Sequence, residues 1–295
     1  MVGRQSAGAS PAQVIRCGCR PCVRSRVANR GSAPRCSNPE RTCVSDVDLG
    51  HNCDVSSLGS LRLRPRLWLG VLAGFLVAIP LTLLALSVRA GWDPVRDVDR
   101  GVADGLHGVV AHESWAVAAL KVIAIAFHPW VFRSAVLVLV LVLLSRRAYR
   151  LAWWAAITMT AGSVLGFVLK MVVARARPSF DTPTATAAGF SFPSGHALNS
   201  AVAVLVFLLV ILPALPGTSA RVAAWVVGGL IVFITGFDRV ALGVHYVTDV
   251  LAGWLVAAAL VAATAAAFET WRRDAGRRPH DPIEGVDPAE AGRLR

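Results

Sequence analysis

Three short stretches of this sequence carry residues that could do chemistry, and they fall between positions 170 and 249. The first is Lys170-Met-Val-Val-Ala-Arg-Ala-Arg177-Pro178. On a continuous helix, residues seven apart lie within about 20° of each other, so Lys170 and Arg177 are predicted to share one face. The second is Phe192-Pro193-Ser194-Gly195-His196, directly before a long apolar run. Ser194 suits a helix N-cap, which leaves the first backbone N–H groups pointing outward as an anion site. The third is Asp238-Arg239-Val-Ala-Leu-Gly243-Val-His245-Tyr-Val-Thr-Asp249. His245 and Asp249 are i and i+4, which predicts one helix face. A carboxylate behind an imidazole can fix its tautomer and stabilise its cation.

Each stretch also has an ordinary reading. The first could be interfacial snorkelling, the second a capped helix with an interfacial histidine, the third a satisfied His–Asp pair. Together they offer Lys170, Arg177 and Arg239 as cations, a helix N-terminus at Ser194 and Gly195, two imidazoles, and Asp249 behind one of these. That is the inventory of a phosphate site with a nucleophile and an acid. Phosphoryl transfer is catalysed mainly by positioning and charge stabilisation. Arginine forks match phosphate oxygens. A magnesium site would need clustered oxygen ligands. The carboxylates nearby are Asp181, Asp238 and Asp249, and no metal or other cofactor is expected.

These residues must be gathered by membrane helices. Charged residues are only 16% of the 295, against about 25% in soluble domains, and the mean hydropathy is +0.57. A soluble enzyme and whole-chain disorder are both excluded. Apolar runs at 67–88, 129–145, 151–169, 197–220, 222–237 and 250–268 predict an all-α bundle of six spans. Arg133 lies within the second run and is expected to snorkel toward the interface. The segment 114–127, interrupted by Lys121, reads as an interfacial or re-entrant helix outside the bundle. Six spans put both termini on one side. That side holds the 11 arginines before residue 67, then Arg146, Arg147, Arg150, Arg221, Arg272, Arg273, Arg277 and Arg278. The excess predicts that this side is cytoplasmic and that the motifs face outward from the cell membrane. Topology does not account for Lys170, Arg175, Arg177 and Arg239 at the outer ends of spans. Such cations are functional candidates.

The expected organisation is a tail over 1–60, a membrane domain over 67–268 and a short cytoplasmic tail over 270–295. Residues 1–60 are rich in Arg, Ser, Gly and Pro and read as disordered. All six cysteines lie there, with Cys17, Cys19 and Cys22 spaced C-x-C-x2-C. No regular second half follows to complete a zinc site. No apolar signal-peptide core precedes residue 67. The formal charge is +12. Before residue 67, 11 arginines minus Glu40, Asp46, Asp48 and Asp54 give +7. Such a tail fits anionic lipid headgroups and gives no support to a nucleic-acid partner.

The order K-x6-R-P, P-S-G-H, R-x5-H-x3-D resembles the type 2 phosphatidic acid phosphatase superfamily, integral-membrane lipid phosphatases related to vanadium haloperoxidases. The resemblance implies that His245 is the nucleophile and forms a phosphohistidine, that Asp249 orients it, and that His196 protonates the leaving oxygen. It implies that Lys170, Arg177, Arg239, Ser194 and the Gly195 N–H hold the phosphate. It further implies metal-free hydrolysis of a membrane lipid phosphate or pyrophosphate. A lipid phosphotransferase on the same scaffold shares every motif. A transporter or lipid-binding protein is the alternative from another class. One position departs from the family: its third motif usually begins Ser-Arg, and here Asp238 precedes Arg239. An ionised aspartate cannot donate to phosphate, so Asp238 is expected to pair with Arg175 or Arg239 or to meet another part of the substrate.

Overall fold

Lipid offers no partner for a backbone N–H or C=O, so a chain this apolar must satisfy its own backbone within helices. The computed structural model describes residues 78–274, 276 and 285–294, all of one compact unit. The expected disordered tail, all six cysteines and residues 67–77 of the first expected span lie outside the described residues.

The described elements are α1 (Ala78–Ala90), α2 (Asp93–Val110), α3 (Ser114–Ala126), α4 (Pro129–Ser145), α5 (Tyr149–Val173), α6 (Gly195–Ile211), α7 (Gly217–Ala241), α8 (Val247–Asp274) and the single-turn α9 (Pro288–Ala291). No strand occurs among the described residues. Five stretches are long and apolar enough to cross a membrane: Ser114–Ser145, Tyr149–Val173, Gly195–Ala214, Gly217–Ala241 and Val247–Thr270. The described part of the first expected span is the shorter α1. The protein is therefore an all-α, multi-pass membrane protein. Phe127 and His128 interrupt the first of the five stretches. His128 caps α4, its Nδ1 accepting the Trp130 N–H at 3.3 Å. The separate helix expected at 114–127 is α3, which packs against α7 and α2.

The bundle is built around α6. Two thirds of its span is buried, and it packs against α4, α5, α7 and α8. Its Leu198, Val202, Val206 and Val210 meet Leu151, Ala155 and Met159 of α5 and Val256 and Val261 of α8. The outer faces show the reverse, with Trp153, Ile157, Phe167 and Phe233 exposed, as a lipid-facing surface requires. Lipid supplies no hydrophobic drive between helices, so small residues let them approach closely. A Cβ on Gly253 of α8 would lie 3.0 Å from the Ser194 carbonyl oxygen and 3.1 Å from the Leu198 nitrogen. That approach brings the second turn of α8 against the first turn of α6. Arg133 does not snorkel free: its Nε donates to Asn199 Oδ1 on α6 at 3.0 Å.

Residues 285–294, expected as a polar tail, instead fold back onto the end of the bundle opposite the motifs. Val286 N–H donates to the Leu209 carbonyl at 2.9 Å, and Arg293 Nη1 donates to the Arg147 carbonyl at 2.8 Å. The start of α5 has no capping side chain at Ala148. Glu290 supplies the acceptor from a distance, its Oε2 taking the Leu151 N–H at 3.2 Å. A carboxylate at a helix N-terminus contributes about 1 kcal/mol. Glu290→Ala is expected to lower the unfolding temperature in detergent by roughly 2–4 °C. An unchanged transition would mean that the tail is not docked.

Candidate active site

Four chain segments converge at the end of the bundle where α5 stops and α6 starts. α5 does not continue to Pro178. It ends at Val173, and Ala174 adopts a left-handed conformation with φ 50°. A non-glycine residue there costs on the order of 1 kcal/mol, and the turn throws the chain off the helix axis. Lys170 and Arg177 are therefore not on one helix face, contrary to the expectation from their spacing. They meet through the following loop. Lys170 Nζ donates to the Phe190 carbonyl at 2.7 Å. Arg177 donates to the carbonyls of Gly189 at 2.9 Å, Ala188 at 3.0 Å and Phe190 at 3.3 Å. No carboxylate pairs with either cation among the described residues. Burial, with Arg239 adding to it against the pull of Asp249, holds the Arg177 guanidinium below its ordinary pKa.

The loop then reaches Ser194, which caps α6 by accepting the Ala197 N–H at 3.5 Å. The Ser194 N–H itself donates to the Asp249 carbonyl at 2.9 Å. A Cβ on Gly195 would meet nothing within 4 Å, so a ligand has room against that backbone. His196 follows, half-buried, its ring edge-on to His128 at 5.3 Å between centroids.

α7 delivers Arg239, whose Nη1 lies 3.4 Å from His196 Nε2. Asp238 is buried and pairs with Arg239, Nε donating to Oδ2 at 2.8 Å with Nη2 closer still. The aspartate at the family's serine position thus orients the arginine. Gly243, at φ +66°, makes the turn out of α7. A Cβ there would fall 2.6 Å from the Phe180 ring, so only glycine fits.

His245 precedes α8 and is not on its face, again unlike the i, i+4 expectation. Asp249 sits in the first turn of α8 and turns back. Its Oδ2 accepts the Tyr246 N–H at 2.9 Å and the Ser191 hydroxyl. This is the backward half of a capping box. The same oxygen lies 3.5 Å from His245 Nδ1, which is ion-pair range and long for a hydrogen bond. On the other side of the ring, Arg177 Nη1 lies 3.1 Å from His245 Nε2. A guanidinium can only donate, so Nε2 carries the lone pair and the ring proton belongs on Nδ1, toward Asp249. Burial, with Arg177 and Lys170 adding to it against Asp249, pushes His245 down to about 4. At neutral pH the imidazole is uncharged, its Nε2 lone pair facing Arg177.

All eight residues singled out from the sequence therefore fall in one cluster. Sequence reasoning missed several others. Arg175 was noted as a cation at a span end and as one of two partners for Asp238, yet it bonds Asp249 Oδ1 at 2.7 Å. Asp99 on α2 bonds Arg175 at 2.6 Å. Ser191 and Thr248 had no signal in the sequence, being ordinary hydroxyls directly before Phe192 and directly before Asp249.

Residues 151–273 match the family model of the PAP2 superfamily. The chain is 40% identical over 92 residues to phosphatidylglycerophosphatase B of Bacillus subtilis, covering 31% of this chain and 45% of that protein. It is 33% identical over 121 residues to undecaprenyl-diphosphatase of Sulfolobus acidocaldarius, covering 39% and 54%. The chain thus spans about half the length of these curated relatives. A crystal structure of a transmembrane PAP2-type phosphatidylglycerolphosphate phosphatase from Bacillus subtilis superposes with TM-score 0.55 at 27% identity, over 66% of this chain and 97% of that one. The matched segment contains all three motifs, so the resemblance to the PAP2 superfamily spans the whole candidate site.

Proposed function

We propose that the protein is a metal-independent membrane phosphatase that hydrolyses a lipid phosphate or lipid pyrophosphate through a phosphohistidine. The observation that carries this reading is the state of His245: an uncharged ring with its Nε2 lone pair beside Arg177 and its Nδ1 facing Asp249. Nε2 attacks phosphorus as the bond to the leaving oxygen breaks, and His196 gives its proton to that oxygen. Water then attacks the phosphohistidine, returns a proton to His196 and releases phosphate. Lys170 and Arg177, held only on carbonyls or the imidazole, exchange those partners for phosphate oxygens. Arg239, the Ser194 hydroxyl and the Gly195 N–H complete the cradle.

Two features support a reaction without a metal. Asp249 is taken by Arg175, and Asp238 by Arg239, so neither is free to ligate a cation. The lipid substrate class follows from the named relatives and from a site at the end of apolar spans. The leaflet reading rests on arginine placement: Arg146, Arg147, Arg150 and Arg221 sit at the opposite end of the bundle, which supports a cytoplasmic position for that end and an extracytoplasmic one for the site.

The test is phosphate release from a panel of phosphatidic acid, phosphatidylglycerol phosphate and polyprenyl mono- and diphosphates, with EDTA present. Release with EDTA is expected, as is inhibition by vanadate, which mimics five-coordinate phosphorus. Phosphorylated acceptor lipid in place of free phosphate would identify a phosphotransferase. Tight binding of lipid phosphate without turnover would identify a binding protein or transporter. Indifference to vanadate would count against covalent histidine chemistry.

A further inference from the structure

Asp99 belongs to none of the three motifs, yet it is completely buried beside the site. Its Oδ1 accepts the Thr248 N–H at 3.0 Å, in the first turn of α8. Its Oδ2 accepts the Thr248 hydroxyl at 2.5 Å and Arg175 Nη2 at 2.6 Å. Arg175 Nη1 reaches Asp249 Oδ1 at 2.7 Å, and its guanidinium stacks 4.1 Å from the Tyr246 ring centroid. One guanidinium is thus shared almost evenly between two buried carboxylates. Only one of these faces the imidazole.

We propose that Asp99 and Arg175 are positioning residues that together set how much of the Asp249 charge reaches His245. The inference rests on the reading of His245 as the reacting group. Arg175 occupies Asp249 Oδ1 and leaves Oδ2 turned to His245. By itself it would also draw the carboxylate's charge away from the ring. Asp99 offsets it. The two carboxylates and one guanidinium carry a net charge of −1, as Asp249 would alone, but in a fixed orientation. Asp99 also ties α2 to the start of α8, which holds the carboxylate in register with the imidazole.

The arrangement has a signature that a packing role lacks. Asp99→Asn makes the trio neutral, so His245 feels less negative charge and its protonation moves to lower pH. Arg175→Met makes the trio −2, and protonation moves to higher pH. The other charged or titratable groups facing His245 are Lys170 of α5, Arg177 after it, His196 of α6, Arg239 of α7 and the neighbouring Tyr246. Both variants leave these in place. Each shift is expected to be about half to one pH unit. Each variant is expected to lose about 10–100-fold in kcat, with KM changed by less than about threefold.

The experiment uses the full chain in detergent. The His245 ring is titrated by 13C-histidine NMR, assigned by difference against His245→Gln, alongside kcat and KM over the same pH range. Opposite displacements in Asp99→Asn and Arg175→Met support the proposal, as does a return toward the wild-type titration in the double variant or in Arg175→Lys. Displacements of one sign, or none, overturn it whether or not activity falls. Should Asp99→Asn fail to fold, Arg175→Met against Arg175→Lys decides by the same criterion. An inert wild-type protein would refute the phosphatase reading separately, since the titration needs no turnover.

Discussion

His245→Gln is expected to reduce phosphate release from the best lipid substrate by at least about 10⁴-fold, on the scale of other nucleophile deletions. Glutamine preserves much of the volume and a hydrogen-bonding end but cannot form the phosphorus–nitrogen bond. The loss should fall on kcat. Lys170, Arg177 and Arg239 still face the cradle, so binding of a slowly hydrolysed lipid phosphate should persist, read as displacement of a fluorescent lipid or by calorimetry in detergent. The buried, uncharged state of the ring supports this expectation. An uncharged imidazole has a lone pair available for attack at neutral pH, which a cation that merely pairs with phosphate would lack. A variant that keeps a tenth of wild-type turnover would remove His245 from the reaction.

His196→Ala is the second large effect, and its size should depend on the leaving group. A lipid alkoxide is a poor leaving group and needs a proton as the bond to phosphorus breaks. Loss of a positioned acid costs about 10²–10⁴-fold. An aryl phosphate whose phenol departs as the anion needs no such proton, so with it the variant should lie within about tenfold of wild type. His196 borders the same cradle as Lys170, Arg177 and Arg239. It is half-buried at the mouth of the α6 N-terminus, with Nε2 3.4 Å from Arg239 Nη1. Equal losses with both substrates would assign His196 to phosphate binding.

The two variants address different steps, and their pattern separates the alternatives. Covalent hydrolysis predicts near-total loss for His245 with every substrate and graded loss for His196. A binding protein predicts changes in affinity alone.

The candidate residues taken from the sequence do come together, but not in the way their spacing suggested. The seven-residue spacing of Lys170 and Arg177 suggested a shared helix face, and the four-residue spacing of His245 and Asp249 suggested another. Both pairs do meet, for different reasons. α5 ends at a left-handed Ala174, and Lys170 and Arg177 converge on the Phe190 carbonyl. α8 starts only after His245, and Asp249 turns back as a capping carboxylate. Spacing is a sound guide where a helix continues. Here both helices terminate between the paired residues, which is where backbone groups are free to bind a ligand.

What the sequence determined by itself was the membrane class, the three motifs and the residue types of the candidate site. Those follow from composition and local order, because hydropathy and motif spacing are properties of neighbours along the chain. What only the tertiary structure decided was which charges cancel. Asp238 is spent on Arg239, Arg175 is divided between Asp99 and Asp249, and Lys170 and Arg177 pair with no carboxylate among the described residues. Asp99 and Arg175 are 76 residues apart. Their pairing depends on the packing of α2 against α8 and on the turn that ends α5, and nothing local to either residue specifies it.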